Sequence, residues 1–144
     1  MKRVIVLAVL ACATVAQAQI TTLAGKDYLE LNAEAFDCLN LTGGFVLAVD
    51  YTTPQSEPLD NLQVDIGANY VGGYLKFDLA SGPVVPYVAY KPMIRNSTPS
   101  DIFHVLEAGV GVEITGNLTA VVAGQWCHQR EDDEMLVAGI KWEW

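Results

Sequence analysis

The feature that most constrains this fold is an alternation of apolar and polar residues, clearest in the last segment, Val137–Trp144, which reads VAGIKWEW. Four apolar residues of this segment share one parity: Ala138, Ile140, Trp142 and Trp144. A period of two places such side chains on one face of a β-strand. Similar alternation recurs from Asp27 onward, and no segment of helical period has useful length. The sequence therefore predicts an all-β fold.

The first 18 residues have the pattern of a secretory signal peptide. They begin with the basic pair Lys2-Arg3, continue with an apolar run and end with the small-residue cleavage site Ala16-Gln17-Ala18. We therefore expect cleavage near Ala18. This makes 1–18 the signal peptide and 19–144 a single folded domain.

Charge and hydropathy exclude two classes of protein. The chain has 17 acidic against 8 basic residues, a net charge of −9, whereas nucleic-acid binding needs a basic surface to contact phosphates. Nucleic acid is therefore not an expected partner. No segment after the predicted signal approaches the ~20 continuous apolar residues of a transmembrane helix. Such a chain can span a membrane only as a closed β-barrel, which pairs every backbone polar group.

Alternation fits two kinds of closed barrel. A soluble carrier such as a lipocalin points its apolar parity inward, whereas an outer-membrane barrel points it outward at lipid and encloses polar groups. The second is favoured because no charged residue interrupts the apolar parity in the middle of the best strands, while the other parity is rich in ionisable groups. The predicted fold is an eight-stranded, antiparallel, up-and-down transmembrane β-barrel. The soluble carrier remains the alternative.

Eight segments are predicted as strands. Their approximate bounds are 27–36, 43–52, 61–70, 74–79, 84–91, 103–114, 118–128 and 137–144. The apolar parity changes at Gly72-Gly73, which suits a tight hairpin between the third and fourth strands. A bulge within one long strand is the alternative. The hairpin is preferred because it gives the even strand number of single-chain bacterial barrels.

The polar parity predicts a network inside the barrel. Its members are Glu30, Glu34, Asp65, Lys76, Asp78, Lys91, Glu107, Glu113 and Lys141. Eight strands enclose only enough space for the barrel's own side chains. We therefore expect lysine–carboxylate pairs and trapped water in a filled interior without an open pore. Because acids outnumber lysines, a narrow cation-leaning channel is the alternative.

Aromatic residues of the apolar parity are expected to form two belts at the membrane surfaces, where amphipathic rings are favoured. With both termini in the periplasm, the outer belt would contain Phe45, Tyr70, Tyr90 and Trp126. The periplasmic belt would contain Tyr51, Trp142 and Trp144.

The cysteines and histidines fall near predicted strand ends. Cys38 and Cys127 are expected at the same end, about 10 Å apart across two strand spacings, so a disulfide and two free thiols both remain open. His104 and His128 are interpreted as rim residues, with no metal site. Ser97 and Ser100 precede His104, but the His-x-Ser strand motif expected of a lipid A deacylase does not occur. The sequence therefore predicts a non-enzymatic protein without a cofactor.

Three segments resemble small outer-membrane barrels of the OmpA-like and opacity-protein type. They are Leu79–Tyr90 (LASGPVVPYVAY), Glu107–Trp126 (EAGVGVEITGNLTAVVAGQW) and the terminal GIKWEW. In the last of these, Gly139, Trp142 and Trp144 match the closing-strand signal read by the barrel-assembly machinery. The resemblance implies the outer membrane of a Gram-negative cell, contact with its lipid and lipopolysaccharide, and a monomer.

The expected role is structural or surface-interaction. The predicted loops Lys91–Asp101 and His128–Asp133 would be presented at the cell surface. They are much shorter than the loops of adhesive opacity proteins, so the resemblance does not imply adhesion.

Overall fold

The computed structural model describes residues 19–52, 65–129 and 133–144, without the side chains of 51, 52 and 65–68. The described residues form eight strands: β1 (Gln19–Gly25), β2 (Tyr28–Cys38), β3 (Leu41–Thr52), β4 (Asp65–Asp78), β5 (Val84–Arg95), β6 (Thr98–Thr115), β7 (Leu118–Trp126) and β8 (Glu134–Glu143). Within these ranges, no helix is long and apolar enough to cross a membrane. The predicted signal peptide, 1–18, lies outside them.

Each strand pairs antiparallel with the next, and β1 pairs with β8 to close the barrel. This confirms the predicted all-β, eight-stranded, up-and-down architecture. Gln19, Trp144 and the β2–β3, β4–β5 and β6–β7 connections lie at one end of the barrel, called here the terminal end. The other ends of the strands, with the β1–β2 and β5–β6 connections, lie at the opposite end of the barrel, called the loop end.

The predicted strand boundaries are wrong in the first half of the chain. β4 runs straight through Gly72-Gly73, which pair with Val46 and Phe45 of β3. The hairpin predicted there does not exist, and the eighth strand is instead β1. The alternation of β1 is weak because it carries no charge and has two adjacent threonines, Thr21 and Thr22. As a result, β2 and β3 run in the directions opposite to those predicted.

A bulge explains the change of parity in β4. Val49 pairs with Asn69, but Tyr51 pairs with Ile66, so β4 contains one more residue than β3 across this step. The bulge alternative was therefore correct in kind, but the bulge precedes Tyr70 instead of lying at Gly72-Gly73. The extra residue shifts the alternation by one. Each side chain of β4 after the bulge therefore faces the opposite side of the sheet from the one expected from the residues before the bulge.

The apolar parity faces out of the barrel. Large exposed apolar side chains cover all sides of it, among them Leu29, Leu41, Val71, Leu75, Val88, Leu106, Val110, Val112, Val122 and Ile140. In contrast, Glu30 has no exposed surface and points inward. This is the reverse of a soluble carrier, in which the apolar parity would line the interior.

The predicted aromatic belts need one correction of side and two of height. Of the residues predicted for the belts, five have exposed rings on the exterior: Phe45, Tyr90, Trp126, Trp142 and Trp144. Tyr70 is only 4% exposed and points inward, because the bulge in β4 reverses its parity. Phe45 lies near the terminal end, not the outer one, because β3 starts there. Tyr51 was predicted for the periplasmic belt but lies near the loop end of β3, and its side chain lies outside the described part.

The two cysteines lie at opposite ends of the barrel, so the prediction that they share one end is wrong, and of the two open alternatives the structure has free thiols. Cys38 ends β2 at the terminal end and is exposed, whereas Cys127 follows β7 at the loop end and is buried. Both thiols are free. The error follows from the reversed direction of β2.

Candidate functional site

The barrel interior is the candidate site, and it has three layers. The layer nearest the loop end consists of apolar and aromatic side chains. It contains Ala48, Tyr70, Met93, Phe103, Val105 and Cys127, each no more than 7% exposed. The Tyr70 hydroxyl donates to the Asp50 carboxylate at 2.9 Å, and its ring meets Phe103 edge-on at 5.3 Å. These side chains are therefore buried inside the loop-end half of the barrel.

The middle layer is a buried cluster around one ammonium group. Lys91 of β5 forms salt bridges with Glu30 of β2 and with Glu107 of β6, the latter at 2.5 Å. From β7, the Gln125 amide donates to Glu30 at 3.0 Å and to Glu107 at 2.7 Å. All four residues are at most 4% exposed. The cluster therefore joins four strands across the lumen.

Three neutral donors complete the coordination of the two carboxylates. The Tyr28 hydroxyl donates to Glu30 at 2.6 Å, the Asn32 amide to Glu30 at 2.7 Å, and the Tyr87 hydroxyl to Glu107 at 2.8 Å. Two carboxylates against one ammonium leave an excess negative charge, which these donors help to stabilise. Buried ions are tolerated only with such partners.

The third layer, at the terminal end, is a cavity of about 200 Å³. The ionisable residues that line it, apart from the cluster, are Glu34, Lys76, Asp78, Glu113, Lys141 and Glu143. Lys76 approaches Asp78 at 3.3 Å, and Lys141 approaches Glu143 at 2.8 Å. Among the described residues, Glu34 and Glu113 form no salt bridge. The cavity is therefore acidic, and its inner limit is the middle layer.

Eight of the nine residues predicted for the interior network divide between the two polar layers. Glu30, Lys91 and Glu107 meet in the cluster, and Glu34, Lys76, Asp78, Glu113 and Lys141 line the cavity. The side chain of Asp65 lies outside the described part. The prediction missed Gln125 and Tyr28 because it considered charged residues alone. Both residues lie on the inward parity of their strands, which could have identified them.

Lys91–Asp101, predicted as a surface loop, is mostly strand. β5 continues to Arg95 and β6 begins at Thr98, so only 96–97 connect them. His104 is exposed on the barrel exterior, where its Nδ1 lies 2.6 Å from the Tyr90 hydroxyl. No group of metal-ligating side chains is found among the described residues.

The chain matches no model of a known protein family. It also matches no curated protein. Two solved structures are similar over most of their length. The solution NMR structure of the de novo designed TMB2.3 has a TM-score of 0.64 at 12% identity, covering 88% of this chain and 93% of that one. The crystal structure of the N-terminal β-barrel domain of Pseudomonas aeruginosa OprF has a TM-score of 0.61 at 11% identity, covering 89% and 96%.

These similarities define the class of fold and nothing finer. The chain is an eight-stranded transmembrane β-barrel in architecture, with closed antiparallel pairing and an apolar exterior. Its interior combines a packed layer, a charged cluster and a cavity.

Proposed function

We propose that this protein is a structural barrel of a Gram-negative outer membrane, with a closed interior and no enzymatic activity. The observation that carries the proposal is the apolar exterior around a polar middle layer, because lipid is the solvent that stabilises such an arrangement. The likeness to the OprF barrel domain also supports it. The terminal end would then face the periplasm, and the loop end the outside.

The closed interior is supported by the two layers that occupy the lumen above the cavity. An ion entering from the terminal end would meet the buried Lys91 cluster and then the Phe103 layer. The competing function, a narrow cation-leaning channel, is favoured only by the acidic cavity. A path would require both filled layers to rearrange.

The partners of the barrel are also part of the proposal. We expect the exterior to contact membrane lipid and lipopolysaccharide, and the closing strand to engage the barrel-assembly machinery through Gly139, Trp142 and Trp144. A Cβ added to Gly139 would overlap the carbonyl of Thr22 across the β1–β8 seam, which supports a requirement for glycine there. A monomer without nucleic-acid partners completes the proposal, and membership of the opacity-protein type stays a prediction.

Fractionation tests the membrane placement. We expect the protein in the outer-membrane fraction, resistant to sarkosyl extraction. We also expect a gel mobility that shifts on boiling, because a closed barrel resists unfolding by sodium dodecyl sulfate until the sample is heated. Recovery as a detergent-free soluble monomer would contradict the proposal and favour a soluble barrel.

Conductance in planar bilayers tests the closed interior. We expect no stepwise currents from the wild-type barrel. A Met93→Gly, Phe103→Gly double variant, which removes two side chains of the packed layer, tests whether the Lys91 cluster alone keeps the lumen closed. Heat-shift assays and co-flotation with lipid vesicles establish that both proteins are folded and inserted. Regular cation-selective steps from the wild type would establish the channel instead.

A further inference from the structure

The cavity at the terminal end has the chemistry of a binding site. We propose that it binds a small linear organic cation with two primary ammonium groups, an aliphatic diamine. This inference goes beyond the structural role proposed above and does not depend on ion conduction. It rests on the charges that line the cavity, one buried acceptor and the apolar walls between them.

The first observation is a pair of carboxylates that form no salt bridge among the described residues. The two lysines of the cavity are already paired, Lys76 with Asp78 and Lys141 with Glu143. Glu34 and Glu113 remain, and neither forms a salt bridge with any described residue. Glu34 is half-buried within the barrel, whereas Glu113 is exposed near the end of β6. Two acids at different depths match a ligand with two separated positive charges.

The second observation is independent of charge. Asn32 lines the cavity, is 5% exposed, and has a side-chain oxygen, Oδ1, that accepts no hydrogen bond from any described residue. Its amide nitrogen donates to Glu30 at 2.7 Å, which orients the amide and fixes Oδ1 as the free acceptor. A buried acceptor without a partner costs free energy. An ammonium donor would satisfy it.

The walls explain why the cation should be a linear aliphatic one. Leu23, Ala89 and Val121 line the same cavity as the acids, so a methylene chain could lie against them while its ends reach polar groups. A compact divalent cation prefers several converging oxygens, and no such group of residues is found in the described part. The cavity volume of about 200 Å³ accommodates a short diamine.

Calorimetric titration of the purified barrel in detergent micelles tests the proposal with 1,5-diaminopentane as the probe. We expect saturable binding of one diamine per barrel. Pentylamine, which has one ammonium group, should bind at least about tenfold more weakly because one charge-assisted hydrogen bond is lost. The NMR signals of the Asn32 side-chain amide should move during the titration.

Two matched variants locate the site. Glu34→Gln removes a cavity carboxylate and should weaken diamine binding about tenfold. Glu134→Gln makes the same change at an exposed position near the loop end and should leave the affinity unchanged. Heat-shift assays show whether each variant is folded. Absence of saturable binding, equal effects of the two variants, or equal affinity for magnesium chloride would overturn the proposal. None of these results bears on the conductance test, so the two proposals can fail separately.

Discussion

The loop-end and terminal-end halves of the interior are built on the same eight strands by the same alternation, yet one is packed and the other holds a cavity. In the loop-end half the inward positions carry side chains such as Met93 and Phe103, which fill the lumen. In the terminal-end half they carry ionisable chains such as Lys141 and Glu143, which remain partly exposed. The difference shows that alternation determines which side chains enter the lumen, while their chemistry determines whether they fill it.

The cluster at the boundary of the two halves should show the largest effect. Replacing Lys91 by Met leaves Glu30 and Glu107 buried without their cation. Because breaking a buried ion pair is strongly destabilising, we expect a loss of about 4 kcal/mol in the free energy of unfolding. Urea titration in lipid vesicles, followed by tryptophan fluorescence, measures it.

A triple variant provides the control for Lys91→Met. Adding Glu30→Gln and Glu107→Gln removes the unpaired charges, so most of the lost stability should return. Equal stability of the wild type and Lys91→Met would contradict the assignment of the cluster as a buried ionic centre.

The packed half should respond next most strongly. Phe103→Ala removes a ring that packs against Tyr70, and we expect a cost of about 3 kcal/mol from the lost burial and the resulting cavity. Phe103→Leu, which retains most of the volume, should cost about 1 kcal/mol. The same urea titration applies, and similar small effects for both variants would show that this half is loosely packed.

A neutral member of the cluster should give an intermediate effect. Gln125→Leu keeps the size of the side chain but removes the amide that donates to both carboxylates. We expect a loss of about 2 kcal/mol, because hydrogen bonds to charged groups contribute more than neutral ones. An unchanged midpoint of unfolding would mean that Lys91 and the other donors stabilise the two acids without Gln125.

The cavity half should show the smallest effect. Lys141→Met removes a salt bridge whose two side chains are 21% and 38% exposed. Partly exposed pairs of this kind contribute under about 1 kcal/mol, so stability should change little in the same titration. A loss of stability as large as that of Lys91→Met would contradict the conclusion that the cavity half contributes little to the free energy of unfolding.

The strong alternation of β5, β6 and β8 made the barrel and its apolar exterior predictable from the sequence. The placement of Tyr70 and Cys38 was not, because the bulge in β4 and the weakly patterned β1 change parity and direction without a clear local signal. Glu30, Lys91 and Glu107 were each predicted to point inward. Whether they meet depends on the stagger of β2, β5 and β6. The alternation within one strand gives no information about that stagger.

The two free thiols test the asymmetry of the interior most directly. Cys38 is exposed at the terminal end, whereas Cys127 is 3% exposed inside the packed half. Treating the folded barrel with a water-soluble maleimide and locating the label by peptide mass spectrometry compares them, since a thiol reacts only where reagent can reach it. We predict rapid labelling of Cys38, with Cys127 labelled only after unfolding. Comparable labelling of both in the folded barrel would contradict a packed loop-end half.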